Sequence, residues 1–212
     1  MKNENIGRLT LGLYNSYDPS RFHEAHRRAL ARAAPICKAF DLNLVTFGFP
    51  YDEGRRREVK NPDAPDLRTP KDIAEFVADS TTIGGGGEYL LELADEGRFS
   101  VFDFPARGGG FPPQLGEPII TTSKPDEKKA AAPSDVAEML LRRKSACLVV
   151  GLGPHGLPKE IIKNAKCHLD LTGRGISMET ATAMAALPAV IVTLARERAS
   201  VRSGQRAAAG GW

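Results

Sequence analysis

Cys147-Leu-Val-Val-Gly151-Leu-Gly153-Pro-His155-Gly156-Leu-Pro158, followed a few residues later by His168-Leu-Asp170-Leu-Thr172-Gly173-Arg-Gly175-Ile-Ser177-Met-Glu179-Thr180, is the stretch whose reading decides the fold. Ala146 to Val150 is a short apolar run rich in β-formers, which reads as a buried strand. It breaks at a glycine loop, and Pro158 suits the first turn of a helix, where its missing N–H would be unpaired anyway. His168 to Thr172 reads as a second strand stopped by a second glycine loop. Ser177 is a credible N-cap, and Glu179 places negative charge in the first turn of a long alanine-rich helix. Two strand ends therefore open through glycine loops onto helices. Such loops leave backbone N–H and C=O groups free for a small polar ligand.

Gly151-x-Gly153-x-x-Gly156 also matches the dinucleotide fingerprint, with Asp170 near the expected offset of about 20 residues. That reading predicts an NAD-dependent oxidoreductase. Its placement is unusual, because the fingerprint normally opens a βαβ series and here only one strand and one helix follow. Pro154 and Pro158 also remove N–H donors from the turn that should cradle a pyrophosphate. A glycine turn with a purely structural role is the third reading of the same residues.

Working outward, Arg8 to Tyr14 predicts the first strand, Arg21 to Ala39 a helix that Pro35 should kink or end early, and Leu42 to Phe49 the second strand. From Pro50 to Pro70 apolar periodicity gives way to proline and charge, which predicts a long exposed loop. Thr69 to Asp79 and Glu88 to Ala94 read as helices and Ser100 to Pro105 as a strand. Arg107 to Gly116 is irregular, and Pro118 to Thr122 is another strand. Ser134-Asp135 caps a helix reaching Arg143. The last helix spans Met178 to Arg198, interrupted by Pro188, and residues 199–212 read as a flexible tail. The expectation is one α/β domain over 1–198 with a charged, Pro-rich insertion at about 50–70. The chain has 212 residues, 42% hydrophobic and 26% charged, with a formal net charge of +3. That balance permits a polyanionic partner without demanding one. Cys37, Cys147 and Cys167 lie far apart without metal-ligand spacing, so they read as reduced thiols of a cytoplasmic protein. No run approaches the length of a membrane span.

From about Ile119 to Val192, the two glycine loops, the short helix between them and the closing Ser177-Met-Glu179-Thr180 resemble the C-terminal half of SPOUT methyltransferases, with the likeness closest to uncharacterised archaeal members. The resemblance implies an α/β fold, a mostly parallel sheet flanked by helices, with a C-terminal trefoil knot and usually a homodimer. It implies three loops holding S-adenosylmethionine. These are Thr121, Thr122 and Ser123; then Gly151, Leu152, Gly153, Gly156 and Leu157; then Leu171, Thr172, Gly173, Ile176, Ser177, Met178 and Thr180. Leu152, Leu157, Leu171 and Ile176 would wall an adenine slot.

The family often has an acidic residue where His155 stands, and an asparagine where Glu179 stands. Its TrmH-type branch pairs an early asparagine with an arginine. Asn15 matches the former, and Arg28 or Arg32 is the available arginine. The catalytic candidates are Glu179 as base or orienting group, Arg28, and His155, with Asp18 facing the same cleft. Each has an ordinary alternative: a helix-dipole carboxylate, a solvated arginine, an innocent loop histidine, an Asp-Pro turn. Arg55, Arg56, Arg57 and Arg142, Arg143, Lys144 are the groups expected to meet RNA phosphates, with Arg196, Arg198, Arg202 and Arg206 in reserve. The function expected is S-adenosylmethionine-dependent methylation of structured RNA such as tRNA or rRNA. The rival class is a catalytically silent knotted protein that binds RNA or nucleotide.

Overall fold

The computed structural model describes residues 6–18, 22–50, 67–105, 110–153 and 156–209, with side chains described up to Ser203. The strands are β1 (Leu9–Tyr14), β2 (Asn43–Phe47), β3 (Phe99–Phe102), β4 (Glu117–Thr121), β5 (Ala130–Ala131), β6 (Ala146–Gly151) and β7 (Cys167–Leu169). They form one sheet in the order β3-β2-β1-β6-β4-β7-β5. Every pairing in it is parallel. The expected α/β class with a parallel sheet is therefore the observed one. The short edge strand β5 has no signature in the sequence.

Alternation along the strands assigns the two faces. Leu9, Leu11, Leu13, Leu44, Leu148, Val150 and Ile119 point into a core with the helices α1 (Glu24–Phe40), α2 (Pro70–Ser80), α3 (Gly86–Asp95), α4 (Pro133–Leu141) and α6 (Thr180–Ala209). Tyr14, Val45, Phe47, Cys147, Val149 and Ile120 point the other way, beneath α5 (Lys159–Asn164), Leu115, Phe102 and Phe111. Burial on both faces is why these strands read as unbroken apolar runs.

Pro35 does not end α1 early; the helix continues to Phe40 and closes on Asp41 in the left-handed conformation. The carbonyl deprived of its partner by Pro35 is that of Ala31, one turn earlier. Here α3 comes so close that a Cβ on Gly86 would collide with the Ala31 carbonyl, and one on Gly87 with Ala78 of α2. The glycine run is thus a contact surface, which explains why α3 starts at Gly86 rather than at the expected Glu88. The start at Thr69 is as read, with Thr69 Oγ1 accepting from Asp72 N–H and Asp72 Oδ2 accepting from Thr69 N–H. The start of α4 is shifted. Pro133 occupies its first turn, and Asp135 reaches back to accept from Ala132 N–H at 2.8 Å. At the C-terminus α6 runs through Pro188 to Ala209, eleven residues past the Arg198 expected from sequence.

A cleft at the carboxyl ends of three adjacent strands

Strands β6, β4 and β7 are neighbours, so the loops leaving their C-terminal ends meet. With the N-terminal half of α1 and the first turns of α6 they line a cleft of about 930 Å3. Crevices at the carboxyl ends of open α/β sheets are where such folds bind ligands.

Each loop is fixed by identifiable bonds. At the end of β4, Thr121 Oγ1 donates to Val149 O at 2.9 Å and Thr122 N–H to Leu169 O at 3.0 Å, spanning three strands. After β6 the chain turns so sharply that a Cβ on Gly151 would collide with Gly156, which itself has φ +63°. Gly153 N–H donates to Ser16 Oγ at 2.8 Å, tying this loop to the end of β1. After β7 the chain leaves the sheet at Asp170, whose Oδ1 accepts from Thr172 N–H (3.2 Å) and Thr172 Oγ1 (3.3 Å) and whose Oδ2 accepts from Gly175 N–H (2.8 Å). Thr180 Oγ1 donates to Gly151 O at 3.0 Å and locks the start of α6 over the second loop.

Most of the residues singled out in the sequence meet here. Thr121, Thr122, Ser123, Gly151, Leu152, Gly153, Gly156, Leu157, Leu171, Ile176, Ser177, Met178 and Thr180 line the cleft, as do Arg28, Arg32 and Glu179. Thr172 and Gly173 do not; they are exposed and belong to the turn that Asp170 organises. Ser177 is not the helix cap, because α6 begins three residues later. Glu179 stands just before the helix, its carbonyl accepting the first intrahelical bond from Ala183 N–H at 3.0 Å, and its side chain is exposed. Arg28 pairs with Glu24 at 3.3 Å, both well exposed. His155 and Arg55–Arg57 lie outside the described residues.

Asn15 is buried as a bracket rather than presented to the cleft. Its Nδ2 donates to Gly48 O at 2.8 Å, while Oδ1 accepts from Tyr17 N–H and from His26 Nε2, each at 2.9 Å. Tyr17 and Glu24 reach the cleft without having been predicted, as do Met184 and Leu187, which supply an apolar flank. Tyr17 follows the end of β1 by three residues, a position that marks it in hindsight. Arg142, Arg143 and Lys144 precede β6, so they sit at the opposite end of the strand, about 20 Å from the cleft at the rise of an extended chain.

The strand order also bears on the dinucleotide reading. A fingerprint unit needs the following strand beside the first, whereas β7 lies beyond β4 from β6. Asp170, which would meet the ribose in that reading, spends both carboxylate oxygens on its own loop. Among the described residues no cluster of three or more His, Cys, Asp or Glu could hold a metal ion, and no helix is long and apolar enough to cross a membrane.

Residues 9–192 match a family described as "Protein of unknown function (DUF531)". An uncharacterized protein of Methanocaldococcus jannaschii is 48% identical over 186 residues, covering 88% of this chain and 94% of its own. Among solved structures, a probable methylase family protein from Haemophilus influenzae Rd KW20 superposes with TM-score 0.54 at 12% identity over 92% of this chain and 69% of its own. A structure described by "the 2-OH methylation of C/U34 on tRNA" gives 0.54 at 16% identity over 90% and 98%. The TrmH/SpoU tRNA modifying enzyme of A. aeolicus gives 0.50 at 12% identity over 90% and 77%. At such identities the likeness to these methylase structures is one of fold, whereas the match over residues 9–192 shows that the chain belongs to the DUF531 family.

Proposed function

We propose that this protein is an S-adenosylmethionine-dependent methyltransferase of the SPOUT class acting on structured RNA, as a homodimer in the cytoplasm, with its C-terminal segment threaded as a trefoil knot. The observation that carries the reading is the meeting of the loops after β4, β6 and β7 in one cleft faced by Arg28, Arg32 and Glu179. The methylase fold of the structural neighbours, two of them described by tRNA modification, supports it.

The residues present fit the cofactor. The Cβ position of Gly156, a cleft-lining residue, faces open space, so its missing side chain leaves room against bare backbone. Leu152, Leu157, Leu171 and Ile176 offer apolar walls, and the loop backbone offers hydrogen bonds. When bound, S-adenosylmethionine supplies an electrophilic methyl group on a sulfonium, to be taken by an oxygen or nitrogen of the acceptor as the carbon–sulfur bond breaks. The chain's part is to hold the acceptor in line and to receive its proton. Glu179 is the base: its carboxylate has no hydrogen-bond partner among the described residues. Arg28 and Arg32 line the cleft from α1, where they can pair with an acceptor phosphate.

Calorimetric titration with S-adenosylmethionine, S-adenosylhomocysteine and NAD in parallel tests the proposal. The adenosyl ligands should bind, and Gly153→Val should abolish binding, because even a Cβ there would lie 2.8 Å from Ser16 Oγ and 3.1 Å from Ser16 O. Binding of NAD alone would restore the oxidoreductase reading. Adenosyl binding without methyl transfer to bulk RNA would favour the silent RNA-binding protein.

A further inference from the structure

Six lysines gather at one edge of the molecule. Lys124, Lys128 and Lys129 belong to the segment between β4 and β5, and Lys159, Lys163 and Lys166 to α5 and the turn after it. The two segments are stitched together by buried His168. Its Nδ1 accepts from Asp126 N–H at 3.1 Å, and its Nε2–H donates to Ile162 O at 2.8 Å. His168 N–H donates to Lys129 O at 2.8 Å, and Lys129 Nζ donates to Lys163 O at 2.6 Å at the C-terminal end of α5. All six except Lys129 are exposed.

Among the described residues none of the six takes part in an ion pair, although Lys38, Lys71, Arg98, Arg142 and Arg202 elsewhere all do. Asp126, Glu127 and Glu160 are the acids within the same two segments, so the edge carries a net positive charge. Charges that merely guard an edge strand would stand on it. Here β5 is Ala130–Ala131, and the lysines flank it instead. The described exposed large hydrophobics are Tyr89, Phe104, Ile176, Val190 and Val201, and none belongs to either segment. A protein partner would want an apolar or aromatic centre, which this surface lacks.

The patch is continuous with the cleft. Ser123 and Ile162 line the cleft, and Lys124 and Lys163 are the next residues in the chain. Resting on the methyltransferase reading, we propose that the backbone of a substrate RNA runs out of the cleft along this lysine edge, its phosphates neutralised by Lys124, Lys128, Lys163 and Lys166. The surface used is therefore not that of Arg142–Lys144, at the far end of the sheet.

The test is fluorescence anisotropy with labelled bulk tRNA between 50 and 200 mM KCl, on three proteins. These are the wild type, Lys124→Gln/Lys128→Gln/Lys163→Gln, and Arg142→Gln/Arg143→Gln/Lys144→Gln. The edge variant should bind more weakly, and its plot of log affinity against log salt should be shallower by about 3, one for each phosphate contact removed. The second variant should follow the wild type. An edge variant indistinguishable from wild type overturns the proposal, as does absence of tRNA binding by wild type. So does displacement of the tRNA by poly-glutamate as readily as by unlabelled tRNA, which would mark an acidic protein surface as the partner. Calorimetry with S-adenosylmethionine on the same proteins separates the two readings. Edge-dependent tRNA binding without cofactor binding removes the methyltransferase and leaves the edge. Cofactor binding with edge-independent tRNA binding removes the edge alone.

Discussion

Acidification from about pH 7 to about pH 4.5 should cost this protein stability through one side chain, His26. The imidazole is fully buried in the first turn of α1, packed against Phe49 at 4.6 Å and Phe22 at 5.4 Å between ring centres. Both its nitrogens are committed in the neutral form. Nε2–H donates to Asn15 Oδ1 at 2.9 Å, and Nδ1 accepts from His23 N–H at 2.9 Å. A second proton would destroy the latter bond and bury a cation. Burial, with a smaller contribution from neighbouring His23, pushes the pKa down from 6.5 to about 4. Because the folded value is the lower one, the unfolded chain binds the extra proton over the window between them. Stability from His26 is complete above pH 6.5 and is lost as pH falls towards 4. Integrating between those two values gives a loss of roughly 2 kcal/mol from pH 7 to 4.5. Urea unfolding at a series of pH values, on wild type and His26→Gln, measures it. The glutamine can hydrogen-bond but cannot titrate, so the difference between the two curves isolates this group from other acid-labile contacts. If His26→Gln loses as much stability as wild type, or if NMR titration of the His26 ring gives a pKa at or above 6.5, the reasoning fails.

Asp170→Asn should loosen the loop after β7 by removing charge from three hydrogen bonds. The expected effect is a roughly tenfold loss of S-adenosylmethionine affinity by calorimetry, or about 1.4 kcal/mol, with little change in the unfolding midpoint. An unchanged affinity would mean the loop does not touch the ligand. Arg98→Ala is the opposite case. Its guanidinium donates to Leu42 O at 2.6 Å and Cys37 O at 3.1 Å where α1 gives way to β2, so its loss should cost about 2–4 kcal/mol in urea unfolding. The ion pairs to the half-exposed Asp41 and Glu96 add little to that figure. Ligand binding should be untouched, because this end of the sheet lies opposite the cleft.

The parts of the architecture written in local sequence were readable, and those set by distant packing were not. Strand runs, the glycine loops after β6 and β7 and the capping box at Thr69 announce themselves within a few residues. Pro35 misled as a stop signal because the carbonyl it orphans belongs to a face that α3 covers, and nothing near Pro35 reveals Gly86. Ser177 and Glu179 were misplaced by a few residues because alanine-rich sequence extends helical character without marking its start. Most of the cleft was legible through resemblance, since its loops are where glycine and small polar residues cluster. Met184 and Leu187 were invisible, because they reach the site only through the packing of α6 onto the sheet. The relation of the basic residues to the cleft was hidden for a related reason. Arg142-Arg143-Lys144 is the denser run, but only the strand order places Lys124 and Lys163 beside the cleft.

That strand order has a kinetic consequence. The central pairing joins Leu9 to Ala146, and β4 meets β7 across forty-eight residues, at Ile119 and Cys167. Such distant partners must find one another before the sheet rewards them, so folding should be slow for a chain of this size. The hydrogen bond that ties the start of α6 to the second loop, Thr180 to Gly151, comes late in synthesis, and Met184 and Leu187 of the cleft's apolar flank follow it. A nascent chain that has emerged only as far as β7 already holds the seven strands of the described sheet, yet it cannot close the cleft until the start of α6 arrives.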